Sequence, residues 1–494
     1  MNWDYSALME LFSDTYKGKW LLEGHWGIER EAQRVQASGE LALTPHPPTL
    51  GDKLTNSMIT TDFSESQLEL VTPAFDEIEK AYDSLYSIQA EAEAGIGDEL
   101  LWSLSMPPKL PEEEHIPIAY FGETPEGKEK EIYRRGLSVR YGKKMQMISG
   151  IHYNFSFSQS MIDYLYEMFA EGQSKVEFIN NMYFSLARNA SRYRWLLIYL
   201  FGASPTIDSS YHSVICKELD VIKKEFPDCY KLIEDFERYA ISLRVSRYGY
   251  SSTNQQQQAN TFNSLDEYIG NIKQLLEQKS EQYAALGIYK DGEQIQLNDR
   301  VLQKENEFYS VIRMKQRIDP QERQIDALQA RGVEYIEIRV LDIDPYEKLG
   351  IGMEQLYFMQ IFMLFCLFEE SPMIDDAEME YINQNHHLVA MLGRKPGLTL
   401  VDHDGQSVVL KDWAANICAK MSEIAKLMDR YNSEGRYQGI IDYQQHKIEQ
   451  IALLPSERMY SETRAYKQTY LQYGINRSVE NLGGYRDAEK ARTV

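Results

Sequence analysis

In "MISGIHYNFSFS", residues 147–158, Ile151, Tyr153, Phe155 and Phe157 alternate with His152, Asn154, Ser156 and Ser158. Successive side chains of a strand point to opposite faces, so this segment reads as a strand with one apolar face and one hydrogen-bonding face. In "VEYIEIRVLD", Ile336, Ile338 and Val340 alternate in the same way with Tyr335, Glu337 and Arg339, and in "SQLELVTP" Leu68 and Leu70 oppose Gln67, Glu69 and Val71. "GIEREAQRV", residues 27–35, sets Gly27, Glu29 and Glu31 on one side and Ile28, Arg30 and Ala32 on the other. Any one of these segments fits a strand with a solvated face. Taken together they suit an antiparallel sheet whose polar face lines a cavity. If that face is enclosed, two carboxylates as close as Glu29 and Glu31 repel, and a bound cation relieves them.

Between the strand-like segments (26–35, 67–72, 147–158 and 333–342), apolar residues at three- and four-residue spacing predict helices over 3–23, 76–99, 159–201, 265–286, 353–370 and 410–431. The fold class is therefore α+β, with these strands in an antiparallel sheet. Segments 105–127 and 396–406 are rich in Pro and Gly and read as loops, as does the polar run "NQQQQAN" at 254–260. No clear linker divides the chain, so residues 1–494 read as one unit, with a helical part from about 405 and a polar, mobile end from 476. The longest apolar stretch, 356–368, falls short of the roughly 20 residues a membrane span needs and reads as a buried helix.

The net charge of −23 argues against a nucleic-acid partner, which clustered Lys and Arg would serve. Cys216, Cys229, Cys366 and Cys418 lie far apart without zinc spacing and suggest buried thiols in a reducing compartment. The first residues carry acids where a signal peptide has a basic end, so the expected location is the cytoplasm, with no membrane partner.

The polar faces pose a question of chemistry. Glu29, Glu31, Glu69 and Glu337, with Asp62 just before one strand and His152 in another, supply hard oxygen ligands in number, which suit Mg²⁺ and a phosphate-bearing substrate. Arg339 shares its strand face with Glu337 and is placed to stabilise charge on a transferring phosphoryl group. There is no GxxxxGK[ST] loop, so a nucleotide would be held through metals and scattered cations. Paired carboxylates also serve glycoside hydrolysis, but that reaction needs two acids and not a ring of them. His152 has an equally simple reading as a satisfied core histidine. His386 and His387 in "NQNHHL" are adjacent in the chain, and since adjacent residues point apart on a helix they make a poor metal pair.

The blocks "GIERE", "ITTDFSESQLELVTP", "LWSLSMPP", "YRRGLSVRYGKKMQMISGIHYNFS", "YLFGASP", "SLRVSRYGY", "ENEFYSVIR", "EYIEIRVLDIDP" and "GRKPGLTL" run in order from about residue 20 to 400. In them the chain resembles the bacterial glutamate–cysteine ligases of the enterobacterial type. The resemblance implies a fold related to glutamine synthetase and the guanidino kinases, with a curved antiparallel sheet forming a funnel-shaped site, packed by helices. It also implies ATP-dependent joining of the glutamate γ-carboxylate to cysteine through a γ-glutamyl phosphate, the first step of glutathione synthesis, with Mg²⁺ or Mn²⁺. It implies metal and phosphate contacts for Glu29, Glu31, Asp62, Glu69, His152 and Glu337, with Arg339, Glu337 and Glu31 central to the chemistry and Arg339, Arg313 and Lys315 on ATP. Arg244, with Gln146 and Asn154, would bind glutamate. Phe63, Tyr133, Arg134, Leu137, Tyr250 and Tyr309 would receive cysteine. The chain departs from the family at Ala32 and Gln33, where a Gly-Leu-type pair is usual, and at Arg247, where an acidic or small residue is expected and where the amine acceptor would be affected. It lacks the second ATP-binding half of fused glutathione synthases and is not expected to complete the tripeptide. The rival readings are a γ-glutamyl ligase with another amine acceptor and a non-catalytic amino-acid sensor on the same fold.

Overall fold

The computed structural model describes residues 3–14, 16–217, 238–249 and 261–492, with side chains as far as 482. Tyr250, Cys229 and the run 254–260 lie outside the described residues. The strands are β1 (Gly24–Val35), β2 (Ile59–Thr61), β3 (Gln67–Val71), β4 (Leu100–Leu101), β5 (Ile151–Phe157), β6 and β7 (Tyr289–Lys290 and Glu293–Gln294), β8 (Ile312–Lys315), β9 (Tyr335–Leu341), and β10 and β11 (Thr399–Val401 and Ser407–Val409). Seven of them form one sheet in the order β2-β3-β1-β5-β9-β8, with β4 pairing the end of β1. The strand pairs along this path are antiparallel. All four expected strands are thus neighbours in a single sheet.

The alternation sorts as anticipated. Ile28, Ala32, Ile151, Tyr153, Phe155, Ile336 and Ile338 are buried in the main hydrophobic core. The helix Ile78–Gly95 packs behind β1, and the long helix Lys175–Phe201 packs behind β9. Both are backed by Met353–Phe368, which is apolar on every side and almost wholly buried, as its unbroken apolar sequence requires. Arg30 is the exception on this apolar face. Its guanidinium is buried and hydrogen-bonds Gln89 of the helix 78–95 and the Lys348 carbonyl.

Several expected elements change. The predicted helix 3–23 is a helix Tyr5–Leu11 followed by a 3-10 segment Lys17–Leu22. Ser13, Asp14 and Gly18 between or within them are weak helix formers. The stretch 159–201 breaks into Gln159–Phe169 and Lys175–Phe201 at "AEGQS". Gly172 there has φ +87°, and Ser174 caps the second helix through the Glu177 amide. The stretch 265–286 likewise splits at a second cap, Ser280. The expected loop 105–127 runs into a helix Pro125–Tyr141, started by the Thr124 cap with Pro at its first turn. The expected loop 396–406 contains β10. The end expected to be mobile from 476 belongs to a helix Tyr470–Arg492. Tyr473 and Ser478 are buried, the Tyr470 hydroxyl donates to the Met106 carbonyl (2.6 Å), and the Ser103 amide donates to Ser478 Oγ (3.1 Å). Cys366 and Cys418 are buried, but Cys216 is exposed, which corrects the expectation of buried thiols throughout. No helix among the described residues is long and apolar enough to cross a membrane.

Candidate active site

The polar face of the sheet is the floor of a cavity of about 350 Å³. Strand register decides which polar residues meet there. In β1–β3, Glu31 lies directly opposite Glu69; in β1–β5, Glu29 lies opposite His152. In β5–β9 the register slips by one residue, from Tyr153↔Ile338 to Ile151↔Leu341, so Arg339 and Val340 together face His152. Bulges of this kind bend a strand and re-aim its side chains. Arg339 also gains the Val311 carbonyl for its amide, which ties β9 to the segment preceding β8 (2.9 Å).

His152 is at the centre. Its Nδ1 is 2.8 Å from Glu29 Oε2 and 3.6 Å from Glu337 Oε1, and its Nε2 is 3.6 Å from Glu31 Oε1. Glu29, His152 and Glu337 each offer a ligand atom within 4.8 Å of the others. Arg339 forms an ion pair with Glu337 and reaches to 3.4 Å from His152 Nδ1. Lys315 Nζ is 2.9 Å from the other Glu337 oxygen.

The acids divide electrically. Burial pushes the Glu337 carboxyl up, but Lys315, Arg339 and Arg313 overcome it and hold the group well below the usual carboxylate range. Glu29 is also lowered: burial and Glu337 raise it, and the His152 hydrogen bond and charge together with Lys315 outweigh them. Glu31 is raised, chiefly by burial and then by Asp62, against His152, Arg244 and Arg339. Glu69 is raised well above the usual range by burial and by Asp62, Glu29 and Glu31. Among the described residues no lysine or arginine forms an ion pair with Glu69, and like charges directly opposite across two strands destabilise a sheet. A hard cation is the chemical complement of this donor set, because it neutralises what the protein leaves uncompensated.

The walls come from four further segments. Tyr133, Arg134 and Leu137 project from the helix Pro125–Tyr141, joined by Lys130. Arg134 donates to the Asp62 and Thr61 carbonyls and lies over the Phe121 ring, so it fixes the loop that carries Asp62. Arg244 and Val245 enter from a turn, Lys304, Asn306, Tyr309, Ser310 and Val311 from a loop, and Arg313 and Lys315 from β8. The structure thus brings together Glu29, Glu31, Asp62, Glu69, Tyr133, Arg134, Leu137, His152, Arg244, Tyr309, Arg313, Lys315, Glu337 and Arg339.

Three expected residues are not among those lining the cavity. Phe63 is 1 % exposed and belongs to the second hydrophobic cluster, which also holds Leu137 and Ile148 of the lining. Gln146 is buried in the 3-10 turn Met145–Met147. Asn154 donates to Glu29 Oε1 (3.0 Å). Arg247 is likewise absent from the lining and lies near His387, whose pKa is pushed down to about 3 by burial and then by Arg247 and Arg194. His386 is a structural pin: Arg194 Nε is 3.0 Å from its Nδ1, and its Nε2 is 2.7 Å from the Val245 carbonyl oxygen. The departure at Gln33 has a structural use, since its Nε2 donates to the Met147 carbonyl (2.9 Å) and its Oε1 accepts from Ser66 (3.0 Å).

Lys130, Lys304, Asn306 and Ser310 were not anticipated. Lys130 was findable, because 130, 133, 134 and 137 share one face of a helix. The 304–310 segment holds only the one-turn 3-10 helix Glu305–Glu307 and has no periodicity to read.

A family description, glutamate–cysteine ligase, matches residues 9–389. The chain is 52% identical over 476 residues to a glutamate–cysteine ligase of Clostridium acetobutylicum, covering 96% of this chain and 99% of that protein. It is 38% identical over 482 residues to one from Janthinobacterium, covering 98% and 90%. Among solved structures it is similar to a glutamate–cysteine ligase of Francisella tularensis in complex with AMP, with a TM-score of 0.84 and 34% identity, covering 94% of this chain and 89% of that one. A bifunctional glutathione synthetase of Pasteurella multocida shares the fold at 24% identity and a TM-score of 0.73, covering 98% of this chain and 55% of that one.

Proposed function

Because the chain belongs to the glutamate–cysteine ligase family, we propose that the cavity joins the γ-carboxylate of L-glutamate to the amine of L-cysteine at the expense of ATP. The observation that carries this reading is the arrangement of charge on the sheet face. The carboxylates share the cavity with Arg339 and Arg244, and among the described residues the buried Nη1 of Arg244 has no hydrogen-bond partner. A sensor that only held an amino acid would have no use for these acids.

A carboxylate is a poor acyl donor, so its oxygen first attacks the terminal phosphorus of ATP. The phosphorus–oxygen bond to ADP breaks and a γ-glutamyl phosphate forms. The amine nitrogen of cysteine then attacks the carbonyl carbon, the carbon–oxygen bond breaks, phosphate leaves, and the proton that the nitrogen gives up passes to the departing phosphate or to solvent. Such transfers depend mainly on alignment and on neutralising charge. Arg244 holds the α-carboxylate through its Nη1, a task for which the planar fork of arginine suits. Arg339, kept charged by Glu337, Glu31 and Glu29, grips the transferring phosphoryl oxygens, and Arg313 and Lys315 bind the rest of the phosphate chain. Glu29, Glu31, Glu69, Glu337, Asp62 and His152 would hold Mg²⁺ or Mn²⁺, which when bound neutralises charge between these carboxylates and the phosphates. Tyr133, Tyr309 and Leu137 offer the small walled space for cysteine, with Phe63 in the hydrophobic cluster that holds Leu137. Asn154 acts on glutamate through Glu29. Arg134 holds the Asp62 loop, and Gln146 and Tyr250 stay assigned to the substrates on the family motifs alone.

We read residues 1–494 as one catalytic unit acting in the cytoplasm, where ATP and reduced cysteine are at hand, and within the family our reading stays with the enterobacterial type on its motif blocks. The test is ADP release with ATP, Mg²⁺ and glutamate across a panel of amines. Cysteine is expected to be the best acceptor, with release negligible when glutamate is omitted. Equal rates with bulky amines, or no release with cysteine, would overturn the assignment.

A further inference from the structure

We propose that Gly150 and Asp342, neither of which lines the cavity, are positioning residues that set the guanidinium of Arg244. The inference rests on the reading of Arg244 as the group that binds the glutamate α-carboxylate.

Gly150 stands immediately before β5. A Cβ built on it would lie 1.9 Å from Arg244 Nη2, 2.2 Å from Cζ and 2.4 Å from Nε. No side chain fits there, because the guanidinium plane rests directly on the glycine backbone. The same residue exchanges both hydrogen bonds with Glu31: the Gly150 amide donates to Glu31 Oε2 (2.8 Å), and the Glu31 amide donates to the Gly150 carbonyl (3.0 Å). Gly150 therefore lies between an acid of the metal and phosphate ring and the arginine at the other end of the bound amino acid. Its backbone fixes the distance between them.

Asp342 supplies the opposing restraint. It is buried, and its oxygens accept from the Ala203 amide (2.8 Å), the Ser204 hydroxyl (2.7 Å) and the Ser242 hydroxyl (3.0 Å). One of those oxygens lies 3.9 Å from Arg244 Nη1, near enough to orient the charge but too far to occupy its hydrogen-bonding capacity. Arg244 Nη2 is meanwhile held by the Arg339 main-chain carbonyl (2.9 Å). The fork is fixed on one prong, oriented from a distance on the other, and flattened against a glycine. The open prong is left for a carboxylate.

The experiment compares Arg244→Ala, Gly150→Ala, the double variant Gly150→Ala/Arg244→Ala, and Asp342→Asn, each by melting temperature, kcat and the KM values for glutamate and ATP. Gly150→Ala is expected to raise the glutamate KM at least tenfold and to change the ATP KM less than twofold. In the Arg244→Ala background the same methyl group should add less than twofold, because the guanidinium it displaces is gone. Asp342→Asn keeps the shape and loses the charge, and is expected to raise the glutamate KM several-fold more than it lowers kcat; a glutamate KM within twofold of the parent's would overturn the role given to Asp342. If Gly150→Ala lowers the melting temperature, the double variant should recover it. The proposal is overturned if Gly150→Ala leaves the glutamate KM within twofold, if it adds its full factor to Arg244→Ala, or if the double variant melts as low as the single one. An unchanged glutamate KM in Arg244→Ala would instead refute the reading of Arg244 itself, while melting of the double variant still judges the packing claim.

Discussion

Replacing Arg339 by lysine separates a shaped cation from a mere positive charge. The Arg339 side chain is 22 % exposed and Glu337, its ion-pair partner, 1 %, so the guanidinium spans from a buried acid to the open cavity. A guanidinium does this with several N–H groups in one plane, whereas an ammonium is a compact point charge on a shorter reach. Lysine at 339 can satisfy Glu337 or the phosphoryl oxygens, but not both in one geometry. Glu337 is not abandoned in either case, because Lys315 Nζ stays 2.9 Å away, so the loss in folding stability should be held to about 1 kcal/mol. The transition state loses more. A preorganised charge stabiliser is worth about 3 kcal/mol there, which corresponds to roughly a hundredfold in rate. The assay is steady-state ADP release for Arg339→Lys and Arg244→Lys side by side, with melting temperatures. Arg339→Lys should lower kcat about a hundredfold with little change in the glutamate KM, and Arg244→Lys should chiefly raise that KM. Equal profiles for the two variants, or an effect of Arg339→Lys on KM alone, would refute the division of labour.

Glu31→Gln should cut turnover strongly at both limiting and saturating Mg²⁺ while leaving the melting temperature level or higher, since burial and Asp62 already disfavour its charge; a variant as active as the parent would return Glu31 to a passive strand face. Adding Mg²⁺ should raise the melting temperature, by about 2.7 kcal/mol of stability at a hundred times its dissociation constant, and Glu29→Gln should blunt that rise. Burial, with Asp344 and Glu354, pushes Glu347 up to about 7. A raised carboxyl favours the folded state while protonated, so this contribution is fully present below the ordinary glutamate range and is lost as pH rises through about 7; Glu347→Gln should flatten the fall in melting temperature over that window. Gly474→Ala puts a Cβ 2.0 Å from the Trp102 ring and should cost about 1–3 kcal/mol by overpacking, read by denaturant unfolding.

Which face each strand side chain takes follows from the local order of residues alone. Period-two alternation is a local property, so Glu29 and Glu31 were separable from Ile28 and Arg30 without knowing any neighbour. The family blocks likewise name most of the cavity, because its residues fall within short, specific stretches of chain. What alternation does not hold is register, since pairing is set between segments far apart in the chain. That Glu31 meets Glu69, that His152 meets Glu29, and that Arg339 sits at a slip opposite His152 were decided only when β1, β3, β5 and β9 docked. The same holds for the C-terminal helix, whose polar sequence reads as a loose end until Trp102 and Met106 supply the surface that buries Tyr470 and Tyr473. It holds most plainly for Gly150, which no local pattern sets apart, until folding brings the Arg244 guanidinium to within 1.9 Å of where its Cβ would lie.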